Sequence, residues 1–226
     1  FRRDFTVNAM AISINKHRFG QLIDFYDGHS DLRTGVIRAL HASSFIDDPT
    51  RILRAVRFEQ RFDFKIDKDT LSWIKSAVRH KMLHRVQKHR LRDELILIFK
   101  ECLPLKSLRR LWGLAGFSYI APGLSFQKEW KRFFEEVAKN AKWFEEHFSH
   151  KRHLEPYVMY MSLFFYPLAH KELCQTLRDF AFHKGESSRV LSFRENFTRV
   201  EKELSKKIVR ASVVYRIFEP LSYEVV

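Results

Sequence analysis

The sequence predicts a mainly α protein, with a short α/β segment over residues 1–45 followed by a helical run to the end. Three observations carry this. Only 7 Gly and 6 Pro occur in 226 residues, too few for a turn-rich sandwich or barrel. Hydrophobic residues reach 45%, enough for a packed core and too many for a disordered chain. Alternating apolar and polar positions stop near residue 45, and helical spacing takes over. The 41 Lys and Arg against 27 Asp and Glu leave a charge of +14. That excess points to a polyanionic partner whose phosphates release counterions; a solvated basic surface is the alternative. The apolar stretch Val158–Leu168 is too short to span a membrane, so no membrane partner is expected. Cys102 and Cys174 cannot build a disulfide framework, and a reduced, cytoplasmic setting is expected. The chain opens Phe1-Arg2-Arg3-Asp4 with neither Met nor a signal peptide, so its true N-terminus is expected upstream.

In chain order, Ala11–Asn15 and Gln21–Phe25 alternate and flank Gly20, which predicts two short strands. Asp31–Gly35 reads as a helical turn and Val36–Leu40 as a third strand. The clearest helix covers Asp47–Phe62, with Asp48 as N-cap and Pro49 at its first position. At about 100° per residue, Ile52, Leu53, Ala55 and Val56 share one face. Arg51, Arg54, Arg57 and Arg61 lie on the other, with Phe58 among them. Further helices are expected at 70–78, 88–99, 105–114, 128–148, 154–165, 171–180 and 187–209, with Gly113 and Gly116 as helix stops.

The 11 His are scattered, and neither Cys-x-x-Cys nor His-Glu-x-x-His occurs, which argues against zinc. Walker, Rossmann and Gly-x-Ser-x-Gly signatures are also missing. Asp67-Lys68-Asp69 has the Asp-x-Asp spacing of a Mg²⁺ pair, but it precedes a helix and reads as its cap. Two segments stand out. Arg2-Arg3-Asp4-Phe5-Thr6-Val7-Asn8-Ala9-Met10-Ala11 sets cations for phosphate beside an acceptor for a ribose hydroxyl. Asp47-Asp48-Pro49-Thr50-Arg51 sets an acceptor and a forked donor at a helix start, able to face the mixed donor–acceptor edge of a base.

These two segments resemble motifs of the class II tRNA nucleotidyltransferase and bacterial poly(A) polymerase family. The first is similar to the family's Arg-Arg-Asp motif. The second is similar to its Glu-Asp-x-x-Arg motif, with Asp47 where Glu is usual. Asp27-Gly28, Asp31-Leu32, Gly35 and Ile37-Arg38 resemble the intervening hinge element, and Leu91–Leu95 the later neck helix. Ala211–Leu221 resembles the final helix of the body. The resemblance implies that Arg3, Asp4 and Asn8 hold ribose and phosphates, and that Asp48 and Arg51 read the base of CTP or ATP. It further implies that Asp47 orients Arg51, and that Arg54 and Arg57 bring positive charge to the triphosphate. It divides the chain into the end of a nucleotidyltransferase head (1–45), a neck with the nucleobase template (46–104) and a helical, tRNA-binding body (105–226).

The implied activity is addition of C and/or A to the tRNA 3′ end, with tRNA, ATP and CTP as partners. The implied cofactor is Mg²⁺, on carboxylates expected upstream. Without them the chain is expected to be inactive alone, carrying selection but no catalytic residue. A poly(A) polymerase and a non-catalytic RNA-binding helical module are the alternatives.

Overall fold

The computed structural model describes residues 3–148, 154–206, 210–222 and 224–225. The mainly α architecture is borne out: eleven helices and four two-residue strands occur among the described residues. The chain forms two compact units, residues 1–98 with 106–119 and residues 99–105 with 120–226.

In the first unit, β1 (Ala11–Ile12) pairs antiparallel with β2 (Leu22–Ile23), and Gly20 takes the left-handed turn position at φ +80°. The strands are shorter than the alternation predicts. Ile12, Ile14, Phe19 and Phe25 stay exposed, so no core face extends the pairing. Helix α1 (Gly28–Thr34) ends at Gly35, also left-handed at φ +69°. Next, β3 (Val36–Ile37) runs parallel to β4 (Lys65–Ile66), a strand too short to show a sequence period.

The long helix expected over Asp47–Phe62 is two helices, α2 (Ser44–Asp47) and α3 (Arg51–Phe62). Asp48 is extended at φ −144°, ψ 92°, and Thr50, not Asp48, is the N-cap of α3. Pro49 is the cause: its ring crowds the preceding residue out of the helical region, so the helix breaks at Asp48. Ile52, Leu53, Ala55 and Val56 are buried as their shared face predicts. Arg51 and Arg57 are buried and Arg54 is half-buried, while Arg61 is exposed, so three of the four arginines line an internal polar seam and the fourth meets solvent.

Helix α4 (Lys68–Arg79) starts on Asp67, whose carboxylate accepts from the backbone N–H of Asp69 and Thr70, the cap read from the sequence. Helices α5 (Lys88–Phe99) and α6 (Pro104–Ala115) follow. Gly113 lies inside α6 and is not a stop; Gly116, left-handed at φ +62°, is. Phe5, Ile37, Phe45, Ile74, Leu91 and Leu95 complete the unit's core.

The second unit holds α7 (Trp130–Phe148), α8 (Pro156–Phe165), α9 (His170–Asp179), α10 (Lys184–Leu204) and α11 (Ala211–Phe218). Residues 207–209 of the helix expected to reach 209 lie outside the described residues. The core is aromatic: Phe134 packs on Tyr160 at 4.8 Å and Trp130 on Phe164 at 5.2 Å between ring centres. No helix among the described residues is long and apolar enough to cross a membrane. Cys102 and Cys174 are free thiols.

Candidate nucleotide-selecting site

The site is built where the N-terminal segment meets α3. Phe5 is fully buried and packs edge-on against Phe58 of α3 at 5.9 Å, which brings Asp4 to the arginine face of that helix. Asp4 is 7% exposed. Its Oδ2 accepts from Arg54 Nε at 2.7 Å and from Arg54 Nη2, while Oδ1 accepts from Asn8 Nδ2 and the Phe5 N–H, both at 3.0 Å. Burial opposes ionisation of this carboxyl. The bonds from Asn8 and Arg54 outweigh burial and hold Asp4 below the usual carboxylate range. Burial likewise disfavours the Arg54 cation, but Asp4 and Glu94 more than compensate and raise its pKa.

Glu94 of α5 bridges the two inner arginines. Its Oε1 accepts from Arg54 Nη1 at 3.1 Å, and its Oε2 lies 3.6 Å from Arg57 Nη2, an ion-pair rather than a hydrogen-bond distance. The Arg57 guanidinium also stacks over Phe58 at 4.8 Å. Of the first motif, Arg3 is exposed beside this network, and Arg2 lies outside the described residues.

At the break between α2 and α3, Asp48 Oδ1 accepts from Thr50 Oγ1 at 2.6 Å and from the Thr50 N–H at 3.2 Å. Its Oδ2 accepts from Arg90 Nη2 of α5 at 2.8 Å. Arg51 reaches back to α2, donating from Nη1 to Ser44 Oγ at 2.7 Å and to the Ser44 carbonyl at 3.3 Å. Asp47 stands in solvent, its Oδ2 accepting from Ser43 Oγ at 3.4 Å and lying 3.9 Å from His41 Nδ1. The structure therefore brings Asp4, Asn8, Arg54 and Arg57 into one network through Glu94. Arg51 lies one turn before Arg54 on α3 and reaches Ser44, while Asp48, in the break ahead of that helix, is held by Thr50 and Arg90.

The hinge residues support this arrangement from behind. Asp31 accepts from Thr6 Oγ1 at 2.7 Å and from Arg38 Nε at 3.1 Å, and Arg38 also reaches Asp67 at 2.9 Å. A Cβ on Gly28 would stand 2.3 Å from the Thr6 carbonyl oxygen, so only glycine lets α1 approach the Arg3–Asn8 segment.

Glu94 and Arg90 escape the sequence reading. They are one helical turn apart on α5, yet nothing in Leu91-Arg92-Asp93-Glu94 distinguishes a buried Glu94 from an exposed Asp93. Their partners lie 40 and 42 residues away.

Mg²⁺ does not fit the residues present. No three His, Cys, Asp or Glu side chains converge among the described residues. Asp67 is spent on the α4 cap and Arg38, and Asp4, Asp31, Asp48, Glu59 and Glu94 all face arginines.

Residues 1–38 match the Poly A polymerase head domain, and residues 63–127 match a domain described as the probable RNA and SrmB-binding site of polymerase A. The A-adding tRNA nucleotidyltransferase of Geobacter sulfurreducens is 33% identical over 216 residues, covering 96% of this chain and 24% of that protein. A tRNA-processing enzyme solved with CTP superposes with TM-score 0.88 at 32% identity, over 99% of this chain and 61% of the other. The Thermotoga maritima CCA-adding enzyme complexed with tRNA gives TM-score 0.81 at 37% identity, over 99% and 54%. The chain thus spans about a quarter of the Geobacter protein and little over half of the two solved chains. It carries part of the Poly A polymerase head domain and the RNA-binding domain of polymerase A, and along nearly its whole length it is similar to A-adding and CCA-adding enzymes.

Proposed function

We propose that this chain is the nucleotide-selecting and RNA-binding part of a cytoplasmic tRNA nucleotidyltransferase that adds C and/or A, from CTP and ATP, to the tRNA 3′ end. The observation that carries this is the Asp4–Arg54 pair, which joins the ribose-and-phosphate segment to the base-reading helix. Arg3, exposed beside it, meets phosphate; Asp4 and Asn8 hold the ribose. Asp48 and Arg51 read the base, Asp48 held by Thr50 and Arg90, and Arg51 held by Ser44. Asp47, at the end of α2, orients Arg51. Arg54 and Arg57 add positive charge toward the triphosphate, and Glu94 keeps both from swinging into solvent.

Selection of this kind works by positioning: groups already held in place lose little freedom when the nucleotide binds. The exposed apolar side chains of the β1–β2 hairpin suit a sheet that continues in a complete head domain, where the Mg²⁺ ligands would belong. Of the two nucleotides, A is favoured by the A-adding relative that aligns with 96% of this chain.

The test uses full-length protein, Mg²⁺, single nucleotides and tRNA lacking one or three 3′ nucleotides. Addition that stops after one to three residues is expected. A long A tail assigns a poly(A) polymerase, and tRNA binding without addition assigns a non-catalytic module. Binding of tRNA to the present chain should weaken steeply with salt, as +14 implies; salt-insensitive binding would remove the electrostatic part of the proposal.

A further inference from the structure

In the second unit, an open cavity of about 270 Å³ lies between the start of α7, the end of α8 and the middle of α10. Five rings wall it: Trp130 and Phe133 on α7, Tyr166 just after α8, and Phe193 and Phe197 one turn apart on α10. Tyr166 stands edge-on to Phe193 at 5.9 Å and to Phe197 at 5.1 Å, and those two rings lie 5.4 Å apart. The rings brace one another, so the wall exists before anything enters. Only Trp130 is buried; the other four are half-buried, with aromatic surface left facing water.

Charge narrows the ligand. The Arg132 guanidinium lies over the Phe133 ring at 4.9 Å, and that of Arg194 over the Tyr166 ring at 5.7 Å. A cationic guest, the usual occupant of an aromatic box, would meet two resident cations on the same rings. A planar guest attached to an anion meets complementary groups instead. Arg132 is exposed and able to take that anion. The Glu129 carboxylate and the Gln127 side chain on the wall offer polar contacts to a ring edge. The cavity's volume suits one heterocycle rather than a duplex or a peptide helix.

We propose that this cavity takes one unstacked nucleobase of an RNA strand, with Arg132 meeting the adjoining phosphate. The proposal rests on the RNA-binding reading and deepens it: the basic body would hold one base by stacking as well as phosphates by charge.

The probes are a fluorescent hexa-adenylate and a hexamer of the same ribose-phosphate backbone without bases. Anisotropy at low salt should show hexa-adenylate binding about tenfold more tightly, within the range of one aromatic–base stack. Phe197→Leu keeps an apolar side chain but removes a ring; it should abolish most of that preference while leaving the salt slope unchanged. Arg132→Gln should weaken both hexamers and reduce the slope by about one. If Phe197→Leu does not fold, photo-crosslinking of wild-type protein to a hexamer with one central 4-thiouridine decides, with label expected on a cavity residue.

Equal binding of the two hexamers, a preference that survives Phe197→Leu, or crosslinks confined to other surfaces would each overturn the proposal. So would N-acetyltryptophanamide filling the cavity while RNA shows no base preference, which assigns the cavity to a protein side chain. Failure of both hexamers and of tRNA to bind at low salt overturns the RNA-binding reading itself; equal binding of both hexamers overturns only the cavity.

Discussion

Replacing Asp4 by Asn changes one oxygen to an NH₂ with almost no change of shape, and its cost can be worked from the bonds. The amide oxygen can still accept from Asn8 and the Phe5 N–H. What is lost is the Oδ2 that accepts from both Arg54 Nε and Nη2, where the NH₂ now opposes two donors. Hydrogen bonds to charged groups contribute about 1.5–3 kcal/mol each. Here the two share one guanidinium, whose side chain is 30% exposed and keeps Glu94, so water and Glu94 recover part of the loss. A net destabilisation of about 2 kcal/mol is expected, below the roughly 3–5 kcal/mol of a fully buried broken pair.

The effect should depend on pH with a definite sign. Asp4 has a lowered pKa in the folded protein, so its contribution is present above the ordinary carboxylate value and is lost as pH falls through the folded pKa. Urea unfolding of wild type and Asp4→Asn at pH 7 should therefore differ in midpoint with equal m-values, and the gap should close as the solution is acidified below about pH 4. Equal midpoints at neutral pH would refute the reasoning, as would a gap that stays constant from pH 7 down to the acid limit.

Gly28→Ala places a methyl against the Thr6 carbonyl, which is backbone and cannot swing aside; a loss of about 1–3 kcal/mol is expected, read as a lower thermal midpoint. The proposed function predicts that Arg51→Ala in the full-length protein blurs the choice of CTP and ATP over UTP and GTP while leaving tRNA affinity nearly intact, as measured by single-nucleotide addition and filter binding. Weakened tRNA binding with selectivity unchanged would withdraw Arg51 from the base edge.

Much of this molecule is readable in one dimension because its helices carry their own periodicity. Residues 88–99 are helical with the bounds their spacing predicts, and Asp67 caps α4 as its position beside an apolar run implies. The two motif segments are also legible, because their chemistry is written in adjacent residues. The start of α3 misleads because two local rules compete at Pro49: its value as a first helical residue and its exclusion of helix from Asp48. The exclusion wins, and the single helix becomes two.

Tertiary structure alone decides what the charges do. Phe58 among the four arginines of α3 says that their face is not purely solvated, but not what it meets: Asp4 arrives from 50 residues away and Glu94 from 40, and they turn Arg54 and Arg57 inward. Spacing along a helix says which side chains share a face, but the partner of that face is chosen by chain folding. An arginine buried against a carboxylate and one left in water are identical letters in the sequence.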